Sequence, residues 1–136
     1  MARIVGLDVG DKRIGIAVSD PMRTIATPHS VYTRVGYAPD VRSISKLAAE
    51  VQADTLVLGL PLNMDGSHGF QADKVEALAE KLQEAGWHTI LWDERLTTSS
   101  AERSLIQGGM RRDKRKITID MVAAAIILQS YLDSQK

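Results

Sequence analysis

The chain has 136 residues, of which 44% are hydrophobic and 25% are charged, and its formal net charge at pH 7 is zero. This length and composition predict one globular domain over residues 1–136 and argue against disorder. A zero net charge lacks the usual electrostatic signature of nucleic-acid binding, although local clusters and bound cations can still attract phosphate. The absence of cysteine excludes disulfides and thiolate metal sites. No signal peptide or membrane-spanning run is recognisable, so a cytoplasmic protein without a membrane partner is expected.

The first part of the sequence predicts three strands joined by short connections. Residues 4–9 form a nearly continuous run of apolar, β-branched residues, which is typical of a strand buried on both faces. A turn signal at residues 10–12 precedes residues 13–20, whose alternating pattern predicts the partner strand of a hairpin. Residues 24–32 supply the third strand.

Helices and strands alternate in the remainder of the sequence. Apolar residues at helical spacing predict helices over residues 41–52 and 72–85, and short apolar runs predict strands over residues 55–60 and 88–92. A capping-box pattern predicts a helix over residues 99–108, and another is predicted over residues 117–132. This order predicts an α/β fold, a mixed five-stranded sheet flanked by helices on both faces, similar in element order to the ribonuclease H-like fold.

Acidic residues occur in or directly after segments that otherwise have the pattern of buried structure. Asp8 lies within the first strand, Asp93 and Glu94 follow the fifth, and Asp120 is the only polar residue from 119 to 128. A carboxylate on apolar surface costs free energy unless a cation or hydrogen bonds compensate it. Carboxylates from distant segments are the usual ligands of Mg²⁺ or Mn²⁺, which promote phosphodiester chemistry. The pattern therefore predicts a metal-dependent nuclease.

Each acid also has a purely structural interpretation. Asp8 could cap the turn that follows it, and Asp120 could complement the dipole of its helix from the first turn. Adjacent strand residues point to opposite faces, so only one of Asp93 and Glu94 is expected to reach a metal site. The pattern leaves open which one does, although Glu94 has the longer reach. Arg95 could pair with the unused acid or bind phosphate.

Candidate substrate-binding residues lie in three places. Lys12 and Arg13 follow the first strand, where neighbouring glycines would let the backbone approach a phosphate. Asn63 and Asp65 follow the fourth strand, where ligands bind in open α/β sheets, although both are also ordinary turn residues. A basic loop is predicted over residues 110–116, either a solvated loop or a clamp on the phosphate backbone. Its cations are Arg111, Arg112, Lys114, Arg115 and Lys116. The three histidines are scattered and receive no role.

Together these segments resemble the YqgF/RuvX family of bacterial proteins, described as pre-16S ribosomal RNA nucleases or Holliday junction resolvases. The matching stretches are GLDVG at residues 6–10, RIGIA at residues 13–17, GLPLNMDG at residues 59–66, DERLTT at residues 93–98, and Asp120 with Ala123 and Ala124. They span nearly the whole chain in the family's order. The resemblance implies a ribonuclease H-like fold in which Asp8, one acid of the Asp93–Glu94 pair and Asp120 form the metal site.

The favoured hypothesis is phosphodiester hydrolysis with two Mg²⁺ or Mn²⁺ ions, in which Asp8 bridges the ions while Glu94 and Asp120 each complete one side. Two nucleic-acid substrates fit the resemblance, pre-rRNA matured at its 5′ end and branched four-way DNA. Small size and neutral charge favour the RNA. Ribosome-associated factors are then possible partners, and the protein is expected to be a monomer or homodimer.

Three further considerations bear on this hypothesis. A single-stranded substrate would favour exposed aromatic residues, but the chain has only six. A non-catalytic RNA-binding factor in ribosome assembly is a rival, although pure binding needs no buried carboxylates. An ATPase of the actin-like or sugar-kinase type is another rival, but such enzymes close two domains around the nucleotide.

Overall fold

The computed structural model describes residues 2–96 and 112–135 of the chain. Within them, five strands and three helices follow in the order β1 (Arg3–Val9), β2 (Arg13–Ser19), β3 (Ala26–Thr33), α1 (Tyr37–Glu50), β4 (Ala53–Leu60), α2 (Phe70–Glu84), β5 (His88–Asp93) and α3 (Arg112–Ser134). The five predicted strands and the helices at α1 and α2 are confirmed with small shifts of their ends. The helix predicted over residues 99–108 lies outside the described residues.

The predicted basic loop over residues 110–116 is wrong for residues 112–116, because helix α3 begins at Arg112. Apolar periodicity starts only at residue 117, so it could not indicate this first part of the helix. Lysine and arginine are nevertheless good helix formers, and a helix can extend through them without an apolar face.

The strands form one mixed sheet in the order β3-β2-β1-β4-β5. Strand β2 runs antiparallel to β1 and β3, whereas β4 runs parallel to β1 and β5. The carboxyl ends of β1, β4 and β5 therefore meet at one edge of the sheet. This arrangement, with helices on both faces, confirms the predicted sheet.

Helices α1 and α2 cover one face of the sheet with large apolar side chains. Leu7 from β1 and Leu58 from β4 pack in the same buried cluster as Ile44 from α1 and Leu78 from α2. All four are essentially inaccessible to solvent. Burying a side chain of this size contributes about 1.5–3 kcal/mol. Among the described residues, this face holds the larger of the two buried clusters.

Among the described elements, helix α3 covers the opposite face, and it lies very close to the sheet. A β-carbon added to Gly6 of β1 would lie 2.7 Å from the Cβ of Leu128 and 3.1 Å from the carbonyl oxygen of Ala124. The cluster on this side contains Ile4, Ala17 and Val57 beneath the helix. Within the described residues, no helix combines the length and apolar character needed to cross a membrane.

Candidate active site

Asp8 points to the α3 side of the sheet at the carboxyl end of β1. It shares this face with Ile4 and Gly6, because side chains two residues apart in a strand point the same way. Its partner in the antiparallel ladder is Gly15 of β2. Asp8 is only partly accessible to solvent, so its carboxylate lies in the space between sheet and helix.

Helix α3 brings Asp120 to the same place. A β-carbon added to Gly15 would overlap the backbone carbonyl of Asp120, so the helix rests directly on this glycine. Because Gly15 is paired with Asp8, the backbone of Asp120 lies beside the part of the β1–β2 ladder that carries Asp8. The absence of a side chain at Gly15 allows this close contact.

Glu94 is the acid of the Asp93–Glu94 pair that reaches Asp8. It begins a short 3₁₀ turn directly after β5, and its side chain lies over Gly59 of β4. A β-carbon on that glycine would lie 2.5 Å from Glu94 Oε1 and 2.6 Å from Ile127 Cδ1 of α3. The missing side chain at residue 59 thus makes the space that Glu94 occupies.

The Asp8–Glu94 contact has a strong electrostatic signature. Burial and the neighbouring Asp8 carboxylate, which repels the ionised form and hydrogen-bonds to the protonated form, together raise the pKa of Glu94 to about 7. Two carboxyl groups at hydrogen-bonding distance cannot both be ionised without a compensating cation. Glu94 is therefore about half protonated near pH 7.

Asp93 forms an ion pair with Arg95. Its carboxylate accepts hydrogen bonds from the backbone N–H of Arg95 at 2.9 Å and from the guanidinium, with Nη2–Oδ2 at 2.7 Å. Hydrogen bonding to Arg95 holds the pKa of Asp93 below its ordinary value. Arg95 Nη1 also donates to the carbonyl of Met64 at 3.4 Å. The pair therefore fixes the end of β5 against the loop after β4.

Arg13 forms an ion pair with Asp120, with Nε–Oδ2 at 3.0 Å. Both side chains are partly exposed, at 29% and 26%. Arg13 was predicted to contact substrate, and in this structure its guanidinium forms an ion pair with one acid of the candidate site. Lys12 is exposed in the adjacent turn.

The other predicted substrate-binding residues are distributed around this edge. Asn63 Nδ2 donates to Ser67 Oγ at 3.0 Å, and Asp65 accepts from the backbone and hydroxyl of Ser67 at 2.9 and 2.6 Å. These bonds fold the loop after β4 and agree with the interpretation of both residues as turn formers. Within the basic cluster, Arg112, Lys114, Arg115 and Lys116 lie on the helix that carries Asp120, and Arg111 lies outside the described residues.

A second group of potential ligands, which the sequence analysis missed, lies at the start of α2 and in the loop directly before it. Ligand atoms of His68, Asp73 and Glu76 lie within 4.8 Å of one another, and His68 Nδ1 is 2.7 Å from Glu76 Oε1. The helical spacing of the two acids was the only available signal. These groups are exposed or partly exposed, and surface pairs of this kind contribute little free energy.

Comparisons with known proteins agree with this architecture. A family model described as "RuvX: Holliday junction resolvase" matches residues 2–134. A protein of Caldanaerobacter subterraneus named "Putative pre-16S rRNA nuclease" is 51% identical over 136 residues, covering 98% of both chains.

Solved structures show the same fold at low sequence identity. RuvC of T. thermophilus in complex with a Holliday junction substrate has a TM-score of 0.61 at 13% identity, covering 99% of this chain and 96% of that chain. The fowlpox virus resolvase, in complex with junction DNA, has a TM-score of 0.59 at 13% identity and covers 98% of both chains. The predicted ribonuclease H-like fold is confirmed.

Proposed function

The chain belongs to the RuvX family, and from this premise we propose that it is a nuclease whose Asp8, Glu94 and Asp120 hold Mg²⁺ or Mn²⁺. The observation that carries the proposal is the contact between Asp8 and Glu94, in which a partly buried carboxyl group is held against another. Such an arrangement is unfavourable for folding alone, and a divalent cation compensates it.

The chemistry of the donor set fits a hard cation. Mg²⁺ and Mn²⁺ prefer carboxylate oxygens. Burial and the Asp8 carboxylate raise the pKa of Glu94 and so disfavour its ionised form, which a bound cation would favour. A bound divalent ion supplies activation of water and stabilisation of the charge on the leaving oxygen. Asp93 has a positioning role, because its ion pair with Arg95 fixes the turn from which Glu94 projects.

The cations of this edge would bind the phosphate backbone. Arg13 is 3.0 Å from Asp120, so a divalent ion at Asp120 would compete with it and leave its guanidinium available to a phosphate. Lys12 lies in the turn directly before it, and the basic residues 112–116 begin the helix that carries Asp120. Contacts of this kind give affinity without sequence preference.

For the substrate, we favour the 5′ region of pre-16S rRNA. The relative that is 51% identical over nearly its whole length carries a pre-16S rRNA nuclease name, whereas the resolvases share only 13% identity and indicate the fold. The second candidate is four-way junction DNA, which the description of the family model favours. Ribosome-associated factors would be partners only in the first case.

The decisive experiment compares cleavage of a precursor 16S rRNA 5′ fragment with cleavage of a four-way DNA junction, each with Mg²⁺ or Mn²⁺. Asp8→Asn should lower cleavage at least about a thousandfold, a loss equivalent to several kcal/mol of transition-state stabilisation. Calorimetry should show the same variant losing Mn²⁺ affinity while circular dichroism shows an intact fold. Asp54→Asn is the matched control, since Asp54 is exposed and paired with Arg23.

Each result has a distinct meaning. Cleavage of the RNA alone that depends on Asp8 supports rRNA maturation, and cleavage of the junction alone moves the function to DNA recombination. Full activity of clean Asp8→Asn protein would overturn the catalytic assignment. Absence of both cleavage and Mn²⁺ binding in the unmodified protein would favour a non-catalytic RNA-binding factor.

A further inference from the structure

Exposed aromatic rings and basic side chains lie together beside the β1–β2 turn, on the α1/α2 side of the sheet. The four residues Tyr37, Phe70, Lys74 and Lys81 form what is here termed the aromatic–basic surface. A cavity of about 310 Å³ opens within it, lined among others by Tyr37, Lys74 and Arg34. The acid set lies on the other side of the sheet, so this surface is separate from the candidate metal ligands.

Each ring of this surface has cations over it. Lys74 Nζ lies 4.3 Å from the centroid of the Phe70 ring, and Lys81 Nζ lies 5.3 Å from that of Tyr37. Arg34 lies 5.6 Å from the Tyr37 centroid. The Phe70 side chain is nevertheless 74% exposed and Tyr37 is 37% exposed, so much of the ring surface remains accessible.

The exposure of Phe70 has no explanation in the packing of its helix. Helix α2 buries Ala72, Val75, Leu78 and Leu82 against the sheet, and Phe70 at its first position does not belong to that face. An exposed aromatic ring beside a lysine that lines a cavity is typical of a binding surface rather than of a core.

The charge of the surface suits an anionic ligand. Lys81 makes no ion pair with any residue that the structure describes, and Lys74 shares its charge with the exposed Asp11 at 3.0 Å. Asp40 is completely buried beneath, where it accepts from Arg34 Nε at 2.9 Å and from the hydroxyl of Tyr32 at 3.0 Å. Asp40 lines the cavity from below, but its charge is compensated by these bonds, which hold the β3–α1 connection in place.

The surface is physically connected to the turn that follows Asp8. Arg34 Nη1 donates to the carbonyl of Gly10 at 3.0 Å, and the Arg34 backbone N–H donates to the carbonyl of Lys12 at 2.9 Å. A nucleic-acid strand that leaves the acid set across this turn would arrive directly at the cavity.

We propose that the aromatic–basic surface binds an unpaired stretch of the RNA substrate next to the bond that is cut, with bases stacked on Phe70 and Tyr37 and phosphates at Lys74 and Lys81. The choice of RNA rests on the proposed function. Stacking on exposed rings requires bases that are not paired within a duplex, which makes this surface selective for single strands. The small number of aromatic residues is no obstacle, because the two tryptophans bond to Ser45 and Ser130 while these two rings remain accessible.

The test measures binding of a fluorescein-labelled twelve-nucleotide oligouridylate by anisotropy, in EDTA so that no cleavage occurs. Phe70→Ala should weaken this binding about fivefold, the lower end of what one lost base stack costs, while Phe70→Tyr retains it. Lys81→Gln should reduce the slope of log affinity against log salt by about 0.7. The matched control is Met22→Ala. Met22 is 69% exposed and lies in the connection between β2 and β3, at the other end of β2 from the β1–β2 turn.

A twelve-base-pair RNA duplex with the same label provides the comparison. Its affinity should be the same for Phe70→Ala and the unmodified protein. An unchanged affinity of Phe70→Ala for oligouridylate, or an equal loss for the duplex, would overturn the proposal. Because binding is measured without metal, that result would leave the nuclease assignment intact, whereas binding without any metal-dependent cleavage would remove the nuclease assignment alone.

Discussion

The two faces of the sheet are built from different residues and have different roles, apolar packing on one face and placement of acidic groups on the other. On the α1/α2 face, large side chains such as Leu7, Leu58 and Leu78 fill the space between sheet and helices. On the α3 face, Gly15 and Gly59 remove side chains where the helix and Glu94 lie. Among the described residues, the first face therefore supplies most of the apolar burial. The second face leaves space for the helix and for the side chain of Glu94.

That room is occupied by carboxyl groups. Asp8, Glu94 and Asp120 lie on the α3 face, and burial together with the neighbouring Asp8 raises the pKa of Glu94 to about 7. A face that keeps acidic groups close together contributes less to stability than it would with apolar residues in their place. The comparison shows that the α1/α2 face stabilises the fold, whereas the close carboxyl groups on the α3 face lower its stability.

The largest expected effect tests the apolar face. Leu78→Ala, at a completely buried position, should lower the free energy of unfolding by about 3 kcal/mol because it leaves a cavity. Urea denaturation measures this loss, and Mn²⁺ affinity of the folded variant should stay unchanged. Leu91→Ala is the control, since Leu91 is 38% exposed and should cost much less. If Leu78→Ala weakened Mn²⁺ binding as strongly as Asp8→Asn, the two faces would not be separate in function.

The next effect tests the room on the α3 face. Gly15→Ala would force the backbone of Asp120 away, which should cost about 2 kcal/mol of stability through overpacking. Mn²⁺ affinity, measured by calorimetry, should fall at the same time because Asp120 moves away from Asp8. Gly36→Ala is the matched control, since its new β-carbon would lie 3.9 Å from the nearest atom, Pro39 Cδ. Equal behaviour of the two variants would contradict the close approach of the helix.

The smallest expected effect is a pH dependence of the free energy of unfolding. Burial and Asp8 raise the pKa of Glu94 from 4.5 to about 7, so the folded state binds more protons than the unfolded state between these values. This contribution to stability is complete below pH 4.5 and is lost as the pH rises through 7. In EDTA, unfolding free energy should therefore fall by about 1 kcal/mol between pH 6 and pH 8.

Glu94→Gln should remove this dependence, and Glu80→Gln, at an exposed position of α2, should retain it. Saturating Mg²⁺ should reverse the trend, because metal binding requires the ionised carboxylate and strengthens as the pH rises. A pH-independent stability of the metal-free protein would show that Glu94 is not held against Asp8.

Local sequence pattern predicted most of the fold because the strands are short apolar runs and α1 and α2 have a clear apolar stripe. It failed where a helix has no such stripe, at residues 112–116. The start of α1 at Tyr37 was also missed, since Pro39 and the acid Asp40 are typical of a loop when they are read without their tertiary contacts.

The candidate site was predictable only in part. Asp8 and Asp120 stand out because each interrupts an apolar segment. The choice between Asp93 and Glu94 depends on two distant features, the space above Gly59 and the pair with Arg95, and neither follows from the periodicity of β5. The aromatic–basic surface was missed because composition counts aromatic rings without showing which of them are exposed.

The position of Asp120 on α3 determines when, during synthesis of the chain, the set of three acids can be completed. All five strands precede this helix in the chain, so ribosomal synthesis delivers Asp8 and Glu94 well before their third partner. A growing chain can pair its strands and pack α1 and α2, but its acid set stays incomplete until α3 is made and packs on Gly6 and Gly15. Under the proposed function, a half-made chain would therefore lack one of its three metal ligands and would not yet cut nucleic acid near the ribosome that is producing it.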